Sequence, residues 1–287
     1  MPAYYEALTH TDPSFPVIFH RDVLSGAPLS GAEAHWHMSN VEAHWHEGIE
    51  LLYCISGNAR VSSGAECRQM TKGDLAVVNS GALHYITASP EKECCYYCTI
   101  VEPSLFADTG LPFGKVPLER LICDSETTAI YDQIIQEMEE KGLYYKEAVK
   151  GHLLLLFTRL YRFHYASGAP EQSPAQSDAV KRSILYLRSC FREHITVDEV
   201  CRHVGFSKYY FCRLFRKVTG RSIMEYVNYL RCAYAQQLLK DGEYNISETA
   251  VKSGFSDISY FTKVFKQQMG RLPSDVKKEH MQENLNL

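Results

Sequence analysis

The chain has 287 residues, enough for two domains, and a net charge of −4 that hides a strong asymmetry. Residues 177–287 carry 18 Lys and Arg against 12 Asp and Glu, whereas residues 1–176 carry 12 against 22. A basic C-terminal half suits a polyanionic partner, and an acidic N-terminal half argues against contact with one there. No apolar run reaches the ~18 residues of a membrane span, and the start of the chain has neither a basic region nor an apolar core of a secretory signal. Ten cysteines are scattered without a framework, which points to a reducing cytoplasm.

From about residue 15 to 103, short β-rich segments follow one another: 17–20, 50–55, 59–62, 75–79, 84–88 and 96–101. Turn signals separate them at Ser56-Gly57-Asn58, Ser63-Gly64 and Lys72-Gly73-Asp74. Regular short strands of this kind predict a β-barrel or jelly roll. Within them lies His44-x-His46-x3-Glu50-x6-Gly57, which matches the first cupin motif from His44 onward. Gly73-x5-Asn79-x-Gly81-x2-His84 resembles the second, with Asn79 and Ala88 as departures. Strand alternation places 44, 46, 50, 52 and 54 on one face, expected to be the interior. With His84 and Tyr96 these residues form a candidate effector pocket. Three imidazoles and a carboxylate could alternatively chelate a transition metal. The first reading is polar walls around a small organic molecule, and no cofactor is assigned.

Glu33-Ala-His-Trp-His37 repeats as Glu42-Ala-His-Trp-His46 and holds both Trp residues. Only the second copy has the following Glu and Gly of the motif. The first reads as a duplication in a loop, with His35 or His37 as minor candidates for the pocket. Trp45, by its odd parity, is expected on the exterior. Cys95-x-x-Cys98 lies in a strand, where positions three apart point to opposite faces, so it is not expected to chelate zinc. Two helices follow, at 126–142 and 144–165. The second is apolar on more than one side and wants a second partner. Residues 166–177, Ala-Ser-Gly-Ala-Pro-Glu-Gln-Ser-Pro-Ala-Gln-Ser, read as a linker.

Beyond the linker one pattern is written twice. Val197-Asp-Glu-Val-Cys-Arg-His-Val-Gly205-Phe-Ser207 runs on to Phe211, Phe215 and Gly220. Ile246-Ser-Glu-Thr-Ala-Val-Lys-Ser-Gly254-Phe-Ser256 runs on to Phe261, Phe265 and Gly270. Thr196 with Glu199, and Asn245 with Glu248, predict capping boxes. Gly205 and Gly254 suit turns of positive φ, and Ser207 and Ser256 suit N-caps. Each copy is therefore a helix-turn-helix. In the first, Phe211, Leu214, Phe215 and Val218 form a stripe to be buried. Lys208, Tyr209, Cys212, Arg213 and Arg216 lie opposite it. In the second, the stripe is Phe261, Val264, Phe265 and Gln268 or Met269, and Ile258, Ser259, Thr262, Lys263 and Lys266 lie opposite. Arg can pair with guanine edges; Lys can do so or neutralise a phosphate. Between the copies, Ser222 and Glu225 cap a helix that runs from Ile223 to about Asp241 and stops at Gly242. At ~28 Å it could hold two reading helices about one DNA turn apart.

Residues 178–280 resemble the AraC family of bacterial transcription factors. The likeness rests on the Gly-Phe-Ser turn, the Ser-Tyr-Phe-Thr-Lys-Val-Phe-Lys run at 259–266, and Gly270-x-x-Pro273. It implies a bi-lobed seven-helix domain in which Tyr209, Cys212 and Arg213 face bases in one motif, and Ser259, Tyr260 and Lys263 in the other. Cys212 departs from the longer polar side chain commoner there. The N-terminal half is similar to the cupin-type effector domain of the same family, whose helix pair dimerises. The expected protein is thus α+β and multidomain: an effector-binding and dimerising unit at 1–165, a linker at 166–177, and a DNA-binding unit at 178–287. The partners so implied are double-stranded operator DNA, a sugar-like effector, RNA polymerase and a second copy of the chain, with no membrane. A metal-dependent cupin enzyme fused to a DNA-binding module is the alternative.

Overall fold

A computed structural model describes residues 14–24, 37–38, 40–64, 66–89, 93–167 and 174–285. The chain divides into two compact units that part between Gln172 and Ser173.

The N-terminal unit holds ten strands among the described residues: β1 (Val17–Leu24), β2 (His37–Met38), β3 (Asn40–His44), β4 (Ile49–Ser56), β5 (Asn58–Ser63), β6 (Glu66–Thr71), β7 (Leu75–Val78), β8 (His84–Ala88), β9 (Cys94–Val101) and β10 (Leu121–Ile122). They form two sheets. One has the order β10-β7-β4-β9-β1-β2 and the other β3-β8-β5-β6. This is the double-sheet layout of a jelly roll. The six predicted strands are all present. β2, β3, β6 and β10 were not expected from the sequence.

Strand β9 is buried along its whole length because both of its faces are covered. Tyr96, Cys98 and Ile100 point into a core between the sheets, together with Leu52, Cys54, Val61 and Ile86. Tyr97 and Val101 point the other way, with Ile49, Leu51, Leu75 and Val77, and meet two helices, α1 (Ser125–Glu140) and α2 (Tyr145–Phe163). Helix α2 turns Val149, Leu153, Leu156, Phe157 and Leu160 inward at helical spacing. At full burial, each such side chain contributes roughly 1.5–3 kcal/mol. The Thr99 and Tyr131 hydroxyls, 2.6 Å apart, fix α1 on the sheet. Asp124 caps α1 by accepting from the Glu126 amide, and the same carboxylate receives Arg159 from α2 at 2.8 Å. Asn79, a departure from the second motif, donates to the Leu118 carbonyl and accepts the Leu118 amide, at 2.9 and 2.8 Å. Its side chain thus stands in for a strand edge.

The C-terminal unit contains seven helices among the described residues: α3 (Pro174–Cys190), α4 (Val197–Val204), α5 (Lys208–Thr219), α6 (Ile223–Asp241), α7 (Ile246–Lys252), α8 (Ile258–Met269) and α9 (Pro273–Leu285). Helix α3 starts at Pro174, inside the segment read as linker. Proline is well tolerated in a helix's first turn, whose amides lack helical partners anyway. All three expected capping boxes are formed, on Thr196, Ser222 and Asn245. Ser207 stands at the N-cap of α5 without a side-chain bond, and α8 is capped by Asp257 rather than Ser256. The second copy's extra turn residue moves the cap on by one, to a carboxylate that accepts from the Tyr260 amide.

Helix α6 joins two lobes. Its first half packs Tyr226 against Phe215 of α5, with ring centres 5.7 Å apart. Its second half packs Cys232, Ala235 and Leu239 against Ala250, Phe255, Phe261, Val264 and Phe265. Arg231 pins α6 to the first lobe by donating from Nε to the Phe191 carbonyl and from Nη2 to that of Glu193. Gly254 has φ +91°, and a Cβ there would lie 2.7 Å from the Arg192 carbonyl oxygen, so the second turn fits against the first lobe only as glycine.

Candidate functional site

Each unit carries a candidate site. In the N-terminal unit, β3 ends at His44, His46 follows it, β4 supplies Glu50 and β8 supplies His84. His44 and His84 are register partners across the β3–β8 ladder. Glu50 comes from the facing sheet, paired with Val78 and Ile100. Two sheets therefore close on four polar side chains. Their ligating atoms all lie within 4.8 Å of one another, and His46, Glu50 and His84 are buried.

Each ring is aimed by its backbone. His44 Nδ1 bonds the Glu42 carbonyl at 2.8 Å, His46 Nδ1 that of Gly48 at 3.0 Å, and His84 Nδ1 that of Ala82 at 2.9 Å. A carbonyl only accepts, so each Nδ1 carries the proton and each Nε2 faces inward. His46 Nε2 lies 3.3 Å and His84 Nε2 2.7 Å from Glu50 Oε2, the latter off the line of a hydrogen bond. The other carboxylate oxygen, Oε1, accepts the Cys98 thiol at 3.1 Å. Burial pushes the Glu50 carboxyl up, but the charge of His84 and the bond from His46 outweigh it and hold it well below the usual range. His44 is pulled down to about 3, first by burial and then by His84. The cluster thus favours neutral His44 beside an ionised carboxylate.

Tyr96, placed in the same pocket by the sequence, faces the same inter-sheet layer. It pairs with Cys54, four residues along β4 from Glu50 and so roughly 13 Å away. Its hydroxyl turns to Asp22, and burial pushes its phenol up. Trp45, expected on the exterior, is buried. His35 lies outside the described residues, and so does the side chain of His37. Cys95 and Cys98 do point apart, Cys95 to Arg21 Nε and Cys98 to Glu50. Cys98 was missed as a neighbour of the cluster, although its even parity with Tyr96 and Ile100 marks it as inward.

In the C-terminal unit, the stripes Phe211, Leu214, Phe215, Val218 and Phe261, Val264, Phe265 are buried, while Gln268 and Met269 at the end of the second are only partly so. Lys208, Tyr209, Arg213 and Arg216 are exposed on α5, and Ser259, Tyr260, Lys263 and Lys266 on α8. Arg213 lies over the Tyr209 ring at 5.6 Å, which holds its guanidinium outward on one side of the helix. Lys208 is paired with Asp198 of α4 at 2.9 Å. Cys212 is half-buried, with Cys201 of α4 in hydrogen-bonding reach. The Tyr260 hydroxyl accepts from Asn228 of α6 at 3.0 Å, so it braces the second motif on the connecting helix. Two basic helices with buried backs are thus presented on one connector.

The sequence matches two family models: an AraC-like ligand binding domain over residues 26–157 and a helix-turn-helix domain over 200–279. It is 24% identical over 292 residues to an HTH-type transcriptional regulator of Bacillus subtilis, YdeC, covering 95% of each chain. It is 27% identical over 246 residues to the HTH-type transcriptional activator RhaR of Klebsiella pneumoniae, covering 79% of this chain and 84% of that one. Among solved structures it is similar to ToxT from Vibrio cholerae, at 16% identity and a TM-score of 0.42, over 91% of this chain and 97% of that one.

Proposed function

Because the chain belongs to the AraC family of transcriptional regulators, we propose that its two units act as sensor and reader of one ligand-controlled switch on operator DNA. The chain is a transcriptional regulator, not an enzyme. It has a ligand-binding domain and a helix-turn-helix domain. Beyond that, the effector is a small polar metabolite, most simply a sugar or sugar derivative, held by hydrogen bonds to His44, His46, Glu50 and His84. The operator is read by Arg213 and Lys263, while Lys208, Arg216 and Lys266 serve the phosphates. One observation carries this reading: three imidazoles and a carboxylate are buried together in the domain that is matched as ligand-binding, where polar groups need partners. A ligand can change DNA presentation only by binding one arrangement of the protein better than another.

The regulator works in the cytoplasm, with RNA polymerase, as a homodimer. Helix α2 and the turn before it support the dimer, because Leu143, Tyr144, Leu155 and Phe163 are exposed on them. Residues 1–168 that sediment as a monomer at tens of micromolar would remove that part.

For the switch, duplexes selected by the chain from a random library are titrated with sugars and small acids present. At least one compound raises the melting temperature and shifts the affinity for selected DNA. Glu50→Gln weakens that response and leaves basal DNA binding intact. A normal response in both Glu50→Gln and His84→Ala overturns the pocket.

A further inference from the structure

We propose that Cys54 and Cys94 form an oxidant-dependent disulfide that locks the β4–β5 turn onto the start of β9. The two thiols lie along β4 and β9 from Glu50 and Cys98, at the other end of the inter-sheet core, and the inference does not depend on what the histidine cluster holds.

Geometry carries the argument. Both thiols are buried in the core between the sheets, and their sulfurs lie 3.7 Å apart, in contact. Ordinary diagonal neighbours on an antiparallel pair stand ~7–8 Å apart, at the limit of what a disulfide can bridge. Here the ladder slips by one residue: Cys54 pairs with Tyr96, but Ser56 pairs with Cys95. The turn then folds over β9. A Cβ on Gly57 would overlap the Glu93 carbonyl and lie 3.0 Å from the Cys94 Cα, so only glycine, at φ +74°, permits that approach. The Cys54 thiol is held in the turn by the Ser56 and Gly57 carbonyls, at 3.5 and 3.7 Å. A disulfide of about 2.05 Å then asks each sulfur to move by roughly 0.8 Å, within reach of side-chain rotation.

The neighbouring thiols are engaged elsewhere, since Cys95 accepts from Arg21 Nε and Cys98 donates to Glu50. Within the pair the roles differ. The Cys54 hydrogen is directed to carbonyls, so Cys94 is the donor between the two sulfurs. That bond pulls the Cys54 thiol down, against burial, and the same contact with burial pushes Cys94 up. Cys54 is therefore the attacking thiolate. The oxidant is a hydroperoxide. With hydrogen peroxide, the Cys54 thiolate attacks one oxygen, the O–O bond breaks, and the departing hydroxide takes a proton to become water, leaving a sulfenic acid on Cys54. Cys94 gives up its proton and attacks that sulfur, the S–O bond breaks, and a second water leaves. Two thiols lose two electrons, one peroxide gains them, and one S–S bond forms. Ser56 and Glu93, beside the pair, are exposed, so a local opening of the turn admits the oxidant. In a reducing compartment such a bond is transient and reports oxidant, the usual role of disulfides there.

The test uses the full chain, reduced, freed of reductant and treated with hydrogen peroxide while folded. Remaining thiols are alkylated in denaturant, and the digest is mapped by mass spectrometry. The expected result is one peptide pair joined through Cys54 and Cys94, two hydrogens lighter than the separate peptides and released by dithiothreitol. The melting temperature of the oxidised chain shifts upward from that of the reduced chain, because closing a loop of about 40 residues constrains the unfolded state. Neither the joined peptides nor the upward shift is expected in Cys54→Ser treated in the same way. If Cys54→Ser does not fold, Cys94→Ala gives the same comparison. Two thiols that stay alkylatable in the treated wild type are inert apolar packing, and that result overturns the proposal. So does a bond from either cysteine to a different one, or a Cys54–Cys94 bond that forms only in denaturant. A bond that forms in the folded chain without an upward shift overturns the locking role.

Discussion

Glu50 and His84 meet at 2.7 Å across two different sheets, Glu50 from β4 and His84 from β8, with both side chains inside the core. Taking one partner from a buried pair leaves the other desolvated and uncompensated, a loss of about 3–5 kcal/mol. His84→Ala is therefore expected to destabilise the N-terminal unit by about that amount. Adding Glu50→Gln removes the stranded charge and should restore part of the loss. Chemical denaturation of both variants checks this. A double variant less stable than His84→Ala alone would show that the two residues are not coupled in this way.

Asp124 supplies a second relationship with a pH signature. Its carboxyl is held far below the usual range by the Thr127 hydroxyl first and by Arg159 next. A folded-state pKa depressed below the unfolded value gives stability that is present above the unfolded pKa, near 4, and lost as pH falls through and below it. Asp124→Ala also removes the N-cap of α1, at about 1 kcal/mol. Asp124→Asn keeps a cap but not the charge, so it should lose less at pH 7 and flatten the acid limb. Melting curves from pH 3 to 7 for the three proteins measure this. An unchanged acid limb in Asp124→Asn would rule Asp124 out as the titrating group.

What could be read in advance divides along physical lines. Capping boxes, stripes and the two turns are local, and Thr196, Ser222 and Asn245 all form the boxes their spacing predicts. Strand β6 was invisible because Cys67, Arg68 and Gln69 are exposed and only Met70 is buried, so no alternation marks it. The start of α3 was hidden by a proline that reads equally well as linker punctuation or as a first helical turn. The convergence of His44, His46, Glu50 and His84 was legible from their spacing. Their orientation was not, because it is set by the carbonyls of Glu42, Gly48 and Ala82, which leave no trace in side-chain identity. Tyr96 shares their strand face but sits too far along it, a distance that parity alone does not report.

The two turn glycines differ in a way the repeat conceals. Both have positive φ, +79° at Gly205 and +91° at Gly254. A Cβ on Gly205 meets nothing within 4 Å, while one on Gly254 strikes the Arg192 backbone at 2.7 Å. Gly205→Ala should cost only the left-handed penalty, about 1–2 kcal/mol. Gly254→Ala adds a clash that neither backbone can relieve cheaply and should cost distinctly more. Thermal unfolding of the two variants side by side settles the ordering, and equal losses would mean that the packing of the second turn on Arg192 does not matter.

Arg213 and Arg216 lie one turn apart on α5 and both are exposed, yet their surroundings differ. Arg213, midway along the helix, is stacked over Tyr209 of the first turn, the end that enters a major groove in motifs of this kind. Arg216 lies in the last turn, closer to where a phosphate backbone would pass. Arg213→Ala is expected to cost ~1–3 kcal/mol on the preferred sequence and to relax discrimination at one base pair, because a bidentate base contact is lost. Arg216→Ala should weaken all duplexes alike and reduce the slope of log affinity against log salt by about one charge. Anisotropy titrations on selected and scrambled duplexes, at several salt concentrations, separate the two. If Arg213→Ala weakens both duplexes equally while Arg216→Ala changes the sequence preference, the roles are reversed and the helix enters the groove by its other end.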